Sequence, residues 1–128
     1  MNKSLVCAAL AFIGVPATQA AWVSVATTPE AQVSYDDTLS KEGGRVTVWR
    51  LTNFAKPLTN LEGKEILSEK SRTTVDCVTG KLANSQVMRF AGKDASGDIL
   101  NNYETPLRFT TVGAGSVDAQ LVTKLCMP

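Results

Sequence analysis

The amino-acid sequence predicts an α+β fold, in which a single antiparallel β-sheet of about six strands is covered on one face by a C-terminal α-helix. Three observations support this prediction. Segments rich in β-branched and aromatic residues alternate with turn residues over most of the chain. The apolar residues change to a helical spacing after Gly115. Cys77 lies in the predicted sheet and Cys126 in the predicted helix, so a disulfide can tether one to the other.

The start of the chain has the features of a secretory leader. A lysine precedes an apolar run of eleven residues, 5–15, and small residues follow the run up to Ala20. Eleven residues are well short of the roughly 20 that a membrane-spanning helix needs. We expect cleavage between Ala20 and Ala21. The chain is thereby divided into a signal peptide, residues 1–20, and one exported domain, residues 21–128.

The first predicted strands are short and are separated by turn residues. Residues 22–25 and 33–35 form two strands on either side of a Thr-Pro-Glu break, and residues 36–44 are rich in turn formers. Residues 45–54 are dense in β-branched and aromatic side chains and form the strongest predicted strand. We expect Pro57 to end that strand.

A long hairpin is predicted in the middle of the domain. Residues 64–77 and 81–91 form two strands joined by a short connection that contains a glycine, so they should pair antiparallel. Residues 99–103 and 107–112 supply the last strand or two, around Pro106. Five to seven strands then form one meander.

The segment after Gly115 predicts a short C-terminal helix. Ser116 is a favoured N-cap residue, and Asp118 lies in the first turn, where the helix dipole favours a negative charge. The apolar side chains fall on one helical face: Val117, Leu121, Val122 and Leu125. This face predicts packing on one side of the sheet.

The cysteines predict a structural disulfide. Cys7 leaves with the leader, so Cys77 and Cys126 form the pair available in an oxidising compartment. Closing their loop of 49 residues should stabilise the fold by roughly 4 kcal/mol. A redox or nucleophilic cysteine is the alternative, but the sequence contains no Cys-x-x-Cys pair and no histidine to activate a thiolate.

Composition excludes several classes of function. The chain has 13 basic and 12 acidic residues, and loss of Lys3 with the leader leaves 12 of each, which argues against nucleic acid as a partner. It has no histidine, the commonest general base and metal ligand, so we expect no metal, no cofactor and no enzyme activity. An enzyme that uses carboxylates alone stays as an alternative, with Asp36, Asp37, Glu42 and Asp76 available.

Motifs spread over the whole exported domain recur in the order of one known family. The most informative is the run Val46-x-Val48-Trp49-x-Leu51-x-Asn53-Phe54-x-x-Pro57. The others are Ala21-Trp22-x-x-Val25, Tyr35-Asp36, Ser68-x-Lys70, Asp76-Cys77, Gly115-Ser116 and the terminal Cys126. By these motifs the chain resembles the surface-adhesin protein E family of Gram-negative bacteria. It departs from the family pattern at Arg108-Phe109 and at Ala114, before the helix.

The resemblance implies both a fold and a role. It implies a small secreted domain with an antiparallel sheet and a disulfide-tethered C-terminal helix. It also implies a non-enzymatic binding module, located at the cell surface or outer membrane, with host matrix or serum proteins as partners. Ala21 stands where a lipid-accepting cysteine would be, so no lipobox is present. A periplasmic ligand-binding or accessory protein of the same fold is therefore the alternative.

Three basic residues form a candidate binding strip. Lys70 and Arg72 alternate with Glu69 and Ser71, so both point to one face of a strand, and Arg89 lies on the neighbouring strand. Such a strip could bind an acidic glycan or protein. The alternative is a solvated sheet face on which charge discourages aggregation.

The strongest strand carries apolar residues on both faces. Trp49 alternates with Leu51 on one face, and Phe54 shares the other face with Val48. The C-terminal helix accounts for one face. The other packs within the core, or against a partner or a second copy of the chain, and a homodimer stays open.

Overall fold

A computed structural model of the protein describes residues 21–36 and 40–127. The predicted signal peptide and Ala20 lie outside these residues. The described elements are β1 (Trp22–Thr27), β2 (Ala31–Asp36), β3 (Ser40–Glu42), β4 (Arg45–Thr59), β5 (Glu65–Asp76), β6 (Lys81–Phe90), β7 (Ile99–Glu104) and α1 (Val117–Cys126). The predicted α+β class, with one sheet and one C-terminal helix, is confirmed.

The strands form one antiparallel sheet in the order β1-β2-β4-β5-β6-β7. β2 and β3 pair with the same strand: β2 lies against residues 50–54 of β4, and β3 against residues 45–47. Because β4 pairs with β5 along its other side, β2 and β3 follow one another along a single edge of β4. The sheet is therefore a meander, as predicted.

The region predicted as turn-rich, residues 36–44, contains the short strand β3. Glu42 lies opposite Arg45, so Gly43 and Gly44 form a two-residue hairpin turn. Their φ angles are +61° and +79°, which only glycine adopts readily at both positions. This region is rich in turn formers, as expected, but it also contains a strand that was not predicted, because the two glycines close a hairpin.

β4 does not end at Pro57 as predicted but continues to Thr59. Its pairing with β5 shifts register between Asn53 and Leu58, so Pro57 falls where the ladder is interrupted and no strand hydrogen bond is required of it. Beyond this shift β4 and β5 form an arm. Its tip is ordered by Asn60, whose Oδ1 accepts hydrogen bonds from two backbone N–H groups.

The predicted β5–β6 hairpin is confirmed and contains one irregularity. Asp76 lies opposite Lys81 beside the turn, but the register shifts by one residue between Arg72 and Thr73. Ser85 is the extra residue on β6, because Asn84 pairs with Thr73 and the residue after Ser85 pairs with Arg72.

Residues 107–112 do not form the predicted strand. Thr110 makes an isolated bridge with Leu82, through two backbone hydrogen bonds of 2.9 and 3.1 Å. The rest of this segment is irregular, so β7 is the last strand.

The main core lies between α1 and one face of the sheet. Leu121 and Leu125 are buried against valines and a leucine of the sheet: Val25, Val33, Val46, Val48, Val75 and Leu82. Each such buried side chain contributes about 1.5–3 kcal/mol. Ser116 caps the helix by accepting a hydrogen bond from Ala119 N–H.

Two further contacts fix α1 to the sheet. Cys77 and Cys126 form the predicted disulfide, with their Cα atoms 5.5 Å apart. Arg50 Nη1 donates to Asp118 Oδ1 over 2.6 Å. The helix is therefore held near both of its ends.

A second apolar cluster lies on the opposite face of the sheet. Leu51, Ile66 and Phe90 are buried there. Residues 91–98 fold back onto this end of the face and are bonded to it through Ser68 and Asn53. This face is closed at one end by a loop and stays uncovered by α1 over the rest.

Candidate functional site

The uncovered part of the second sheet face carries an aromatic and two basic side chains. Strand alternation places Trp49 and Leu51 together on this face, as predicted, and Val48 lies on the face that the helix covers. Lys70 and Arg72 of β5 lie opposite Leu51 and Trp49. We call the surface formed by Trp49, Lys70 and Arg72 the Trp49 face.

Trp49 contacts one basic residue of this face and lies opposite the other in the sheet. Lys70 Nζ lies 4.8 Å from the centroid of the Trp49 ring, a cation–π contact. Arg72 is the direct cross-strand neighbour of Trp49. Contacts of this kind are worth about 0.5–1 kcal/mol when exposed, so they orient the lysine more than they stabilise the fold.

Arg89, the third residue of the predicted strip, is placed away from the other two. It lies opposite Glu69, which alternation puts on the helix face, and its Nε donates to Glu69 Oε2 over 2.9 Å. The structure therefore brings Lys70 and Arg72 together and separates Arg89 from them. The physical reason is the extra residue Ser85, which inverts the faces of β6 beyond it.

The two cations of the Trp49 face differ from other arginines of the sheet in their ion pairing with described residues. Arg45, Arg50 and Arg89 each form an ion pair with an acidic side chain. Within the described part of the chain, Lys70 and Arg72 form none. Lys70 and Arg72 therefore have no carboxylate partner among the described residues and can bind an anionic ligand.

A polar groove extends from the Trp49 face towards β3. Two adjoining hollows, of about 370 and 400 Å³, both contain Ser40, Thr47 and Arg72 in their walls. We call these two hollows together the Arg72 groove. The other residues that line it are Asp36, Glu42, Arg45, Val48, Trp49, Thr74, Ser85 and Leu107.

Of the carboxylates considered for an enzyme, Asp36 and Glu42 border the Arg72 groove, and Asp76 lies at the end of β5. Asp76 Oδ1 accepts hydrogen bonds from the backbone N–H groups of Val78 and Thr79, and its Oδ2 lies 3.8 Å from Arg45 Nε. These contacts give Asp76 a role in the turn. Asp37 lies outside the described residues. Over residues 21–36 and 40–127, no group of three or more acidic or cysteine side chains could hold a metal ion.

Comparison with known proteins gives a family for the domain. A family model described as surface-adhesin protein E matches residues 22–127, which include the Trp49 face, the disulfide and α1. The chain belongs to the surface-adhesin protein E family. No curated protein and no solved structure matches it significantly. Membership indicates a surface-exposed or secreted adhesin.

Among the residues that the structure describes, no helix of this surface-adhesin protein E domain is long and apolar enough to span a membrane.

The sequence departs from the family pattern at Arg108-Phe109, and this segment contacts the sheet. Phe109 lies under Arg45, whose guanidinium carbon is 4.5 Å from the ring centroid. This contact occupies Arg45, which lines the Arg72 groove.

Sequence reasoning missed the groove of this surface-adhesin protein E domain. Ser40 and Glu42 line the groove because they lie on β3. The sequence signal for β3 was the Gly43-Gly44 pair, which directly precedes the strongest predicted strand. No sequence signal indicated that Thr47 and Thr74 would meet, because their contact depends on the β4–β5 register.

Proposed function

We propose that the domain is a non-enzymatic adhesin module that binds host or extracellular-matrix macromolecules through the Trp49 face. The observation that carries the proposal is the pair of cations, Lys70 and Arg72, beside Trp49 on a sheet face that α1 does not cover. Tryptophan and arginine are the residues that most often dominate binding energy at protein interfaces. Family membership supports the adhesin role.

The chemistry of the Trp49 face favours anionic partner groups. An arginine without a carboxylate partner can bind a carboxylate through two parallel hydrogen bonds, and such charge-assisted bonds are stronger than neutral ones. Lys70 adds a second positive charge at the same place. Binding should therefore weaken as salt is added, because exposed charges are screened over about 10 Å at 0.1 M.

The test compares the exported protein with its Lys70→Ala/Arg72→Ala variant on immobilised human matrix and serum glycoproteins. We expect the variant to bind any ligand of the native protein roughly tenfold more weakly or worse, because it loses both cations of the face. Surface plasmon resonance measures the dissociation constants.

The matched control is Lys56→Ala/Lys81→Ala, which removes the same charge from two exposed lysines outside the Trp49 face. It should bind within about twofold of the native protein, since surface charges away from an interface contribute little to affinity. Equal losses in the two double variants would assign the effect to net charge, and the proposed face would be wrong. An unchanged Lys70→Ala/Arg72→Ala variant would also contradict it.

A further inference from the structure

The Arg72 groove has the size of a small-ligand site. It crosses four neighbouring strands, from β3 through β4 and β5 to β6. Its two hollows, of about 370 and 400 Å³, share Ser40, Thr47 and Arg72. Sites for small molecules have volumes of about 300–1,000 Å³. A group of monosaccharide size therefore fits the groove.

Hydroxyl groups line the centre of the groove. Thr47 Oγ1 and Thr74 Oγ1 lie 2.8 Å apart, so one hydroxyl donates a hydrogen bond to the other. The hydrogen of the accepting hydroxyl has no acceptor in the part of the chain that the structure describes. Thr74 is buried and Thr47 is half-buried, so the hydroxyl pair has little contact with bulk water. The pair therefore offers a hydrogen bond to a ligand oxygen.

Among the described residues that line the groove, Arg72 is the basic residue without an ion pair. The other basic residue of the lining, Arg45, is engaged by Asp76 and by the ring of Phe109. Arg72 forms no ion pair with a described residue and is exposed. One ligand carboxylate is therefore matched by one guanidinium.

Carboxylates and an indole complete the lining. Glu42 and Asp36 border the two hollows and would repel a densely charged polyanion, whereas Glu42 can accept hydrogen bonds from ligand hydroxyls. Trp49 borders the same hollow as Arg72 and offers an apolar surface beside the charge. This combination suits a ligand with several hydroxyls, one apolar ring face and a single negative charge.

We propose that the Arg72 groove binds a sugar that carries one carboxylate. Arg72 binds the carboxylate, Glu42 and the Thr47–Thr74 pair bind ring hydroxyls, and the sugar ring packs beside Trp49. The inference rests on the proposed function, because it names the chemical group that the adhesin face recognises. Sialic and uronic acids share this chemistry. An acidic peptide is less well matched, because it lacks the ring hydroxyls that the groove would bind.

Isothermal titration calorimetry of the exported protein tests the inference with three probes: the methyl glycosides of N-acetylneuraminic acid, glucuronic acid and glucose. We expect at least one acidic sugar to bind roughly tenfold more tightly than the glucose glycoside, and the stronger of the two identifies the source of the carboxylate. Equal affinities for acidic and neutral sugars would overturn the inference. Tighter binding of a short aspartate peptide than of either acidic sugar would also overturn it.

Two variants assign the binding to the groove. Arg72→Ala should weaken the acidic sugar roughly tenfold and abolish the preference over glucose, because the carboxylate loses its partner. Thr47→Val keeps the side-chain shape without the hydroxyl and should weaken both kinds of sugar by about threefold. Arg108→Ala removes an equal charge from an exposed arginine outside the groove and should have no effect. Unchanged binding by Arg72→Ala overturns the inference, and so does an equal loss in Arg108→Ala.

Removal of acidic sugars from the macromolecular ligand separates this inference from the proposed function. Loss of binding after enzymatic removal of sialic or uronic acid supports both. Binding that persists after this removal, and still depends on Lys70 and Arg72, overturns the sugar inference while the adhesin face stands. Binding of the free acidic sugars without binding of any glycoprotein supports the groove and contradicts the adhesin role.

Discussion

Ser68 shows how one hydroxyl can hold a loop in place. It is fully buried, and its Oγ donates to the carbonyl of Gly92 over 2.6 Å and accepts from the N–H of Ala95 over 2.9 Å. Asp94 and Ala95 have φ angles of +59° and +57°, a conformation that costs non-glycine residues about 1–2 kcal/mol each. The hydrogen bonds of Ser68 offset part of this cost and keep the loop on the Trp49 side of the sheet.

Ser68→Ala should lower the free energy of unfolding by about 1–3 kcal/mol. The substitution leaves the Gly92 carbonyl and the Ala95 N–H without their partner, and unsatisfied buried groups carry a penalty of this size. Equilibrium urea unfolding measures the change. Ser24→Ala, at an exposed position of β1, is the control and should change stability by less than about 0.5 kcal/mol. Equal effects in the two variants would contradict the role given to Ser68.

Arg89 shows why residues far apart in the sequence are hard to assign to one surface. If the pairing of Asp76 with Lys81 continued without interruption, Arg89 would lie opposite Ser68, on the same face as Lys70 and Arg72. The extra residue Ser85 moves it to the other face. Alternation within β5 predicted that Lys70 and Arg72 lie on the same face of the sheet. A one-residue bulge has no reliable sequence signature, so the face of Arg89 could not be predicted.

The helix α1 is the element whose attachment was most predictable. Its N-cap Ser116 and its apolar face at Leu121 and Leu125 are local features that the sequence displays directly. The partner of Cys126 was also predicted, because the expected loss of Cys7 with the signal peptide would leave one other cysteine, and the structure shows that bond. The ion pair of Arg50 with Asp118 was not predicted, since its geometry depends on where the helix docks.

Reduction of the disulfide should destabilise the exported domain by roughly 4 kcal/mol, because it restores the entropy of a 49-residue loop to the unfolded chain. For a domain of this size the thermal midpoint should fall by roughly 15–30 °C. Calorimetry with and without dithiothreitol measures the shift, and thiol titration should find two new thiols per molecule. The Cys77→Ala/Cys126→Ala variant should not respond to the reductant. A native midpoint that is unchanged by reduction would show that the tether contributes nothing.

Strand boundaries were less predictable than strand identity. Six of the described strands coincide with predicted segments, whereas β3 was missed. Of the two segments expected to supply the last strand or two, residues 107–112 form only an isolated bridge. Pro57 was expected to end β4, but a register shift removes the need for its missing N–H. For Pro57 the deciding factor was the register with β5, which local propensity does not contain. For β3 the sequence offered a local signal, the Gly43-Gly44 pair.

The location of the whole molecule decides between the surface and periplasmic alternatives. The tip of the β4–β5 arm offers a place to measure it, because Leu61 is fully exposed there and loop tips tolerate insertions. A specific protease site inserted between Leu61 and Glu62 should be cut on intact cells if the domain is displayed at the surface.

Two outcomes of that measurement separate the alternatives. A periplasmic protein that carries the same inserted site is the control and should be cut only after the outer membrane is opened. Cleavage of the domain on intact cells would support the adhesin role and justify a wide screen of glycoproteins. Protection until the membrane is opened would favour the periplasmic alternative.

The position of α1 has a consequence for how the protein can be presented in an assay. The helix ends at Cys126, which is bonded to Cys77 on the face opposite Trp49, and the next residue, Met127, is 65 % exposed. A tag placed after this residue would attach the molecule to a sensor or bead by its helix side. The Arg72 groove would then face the solution, whereas random coupling through lysines would include Lys70 and block the surface being measured.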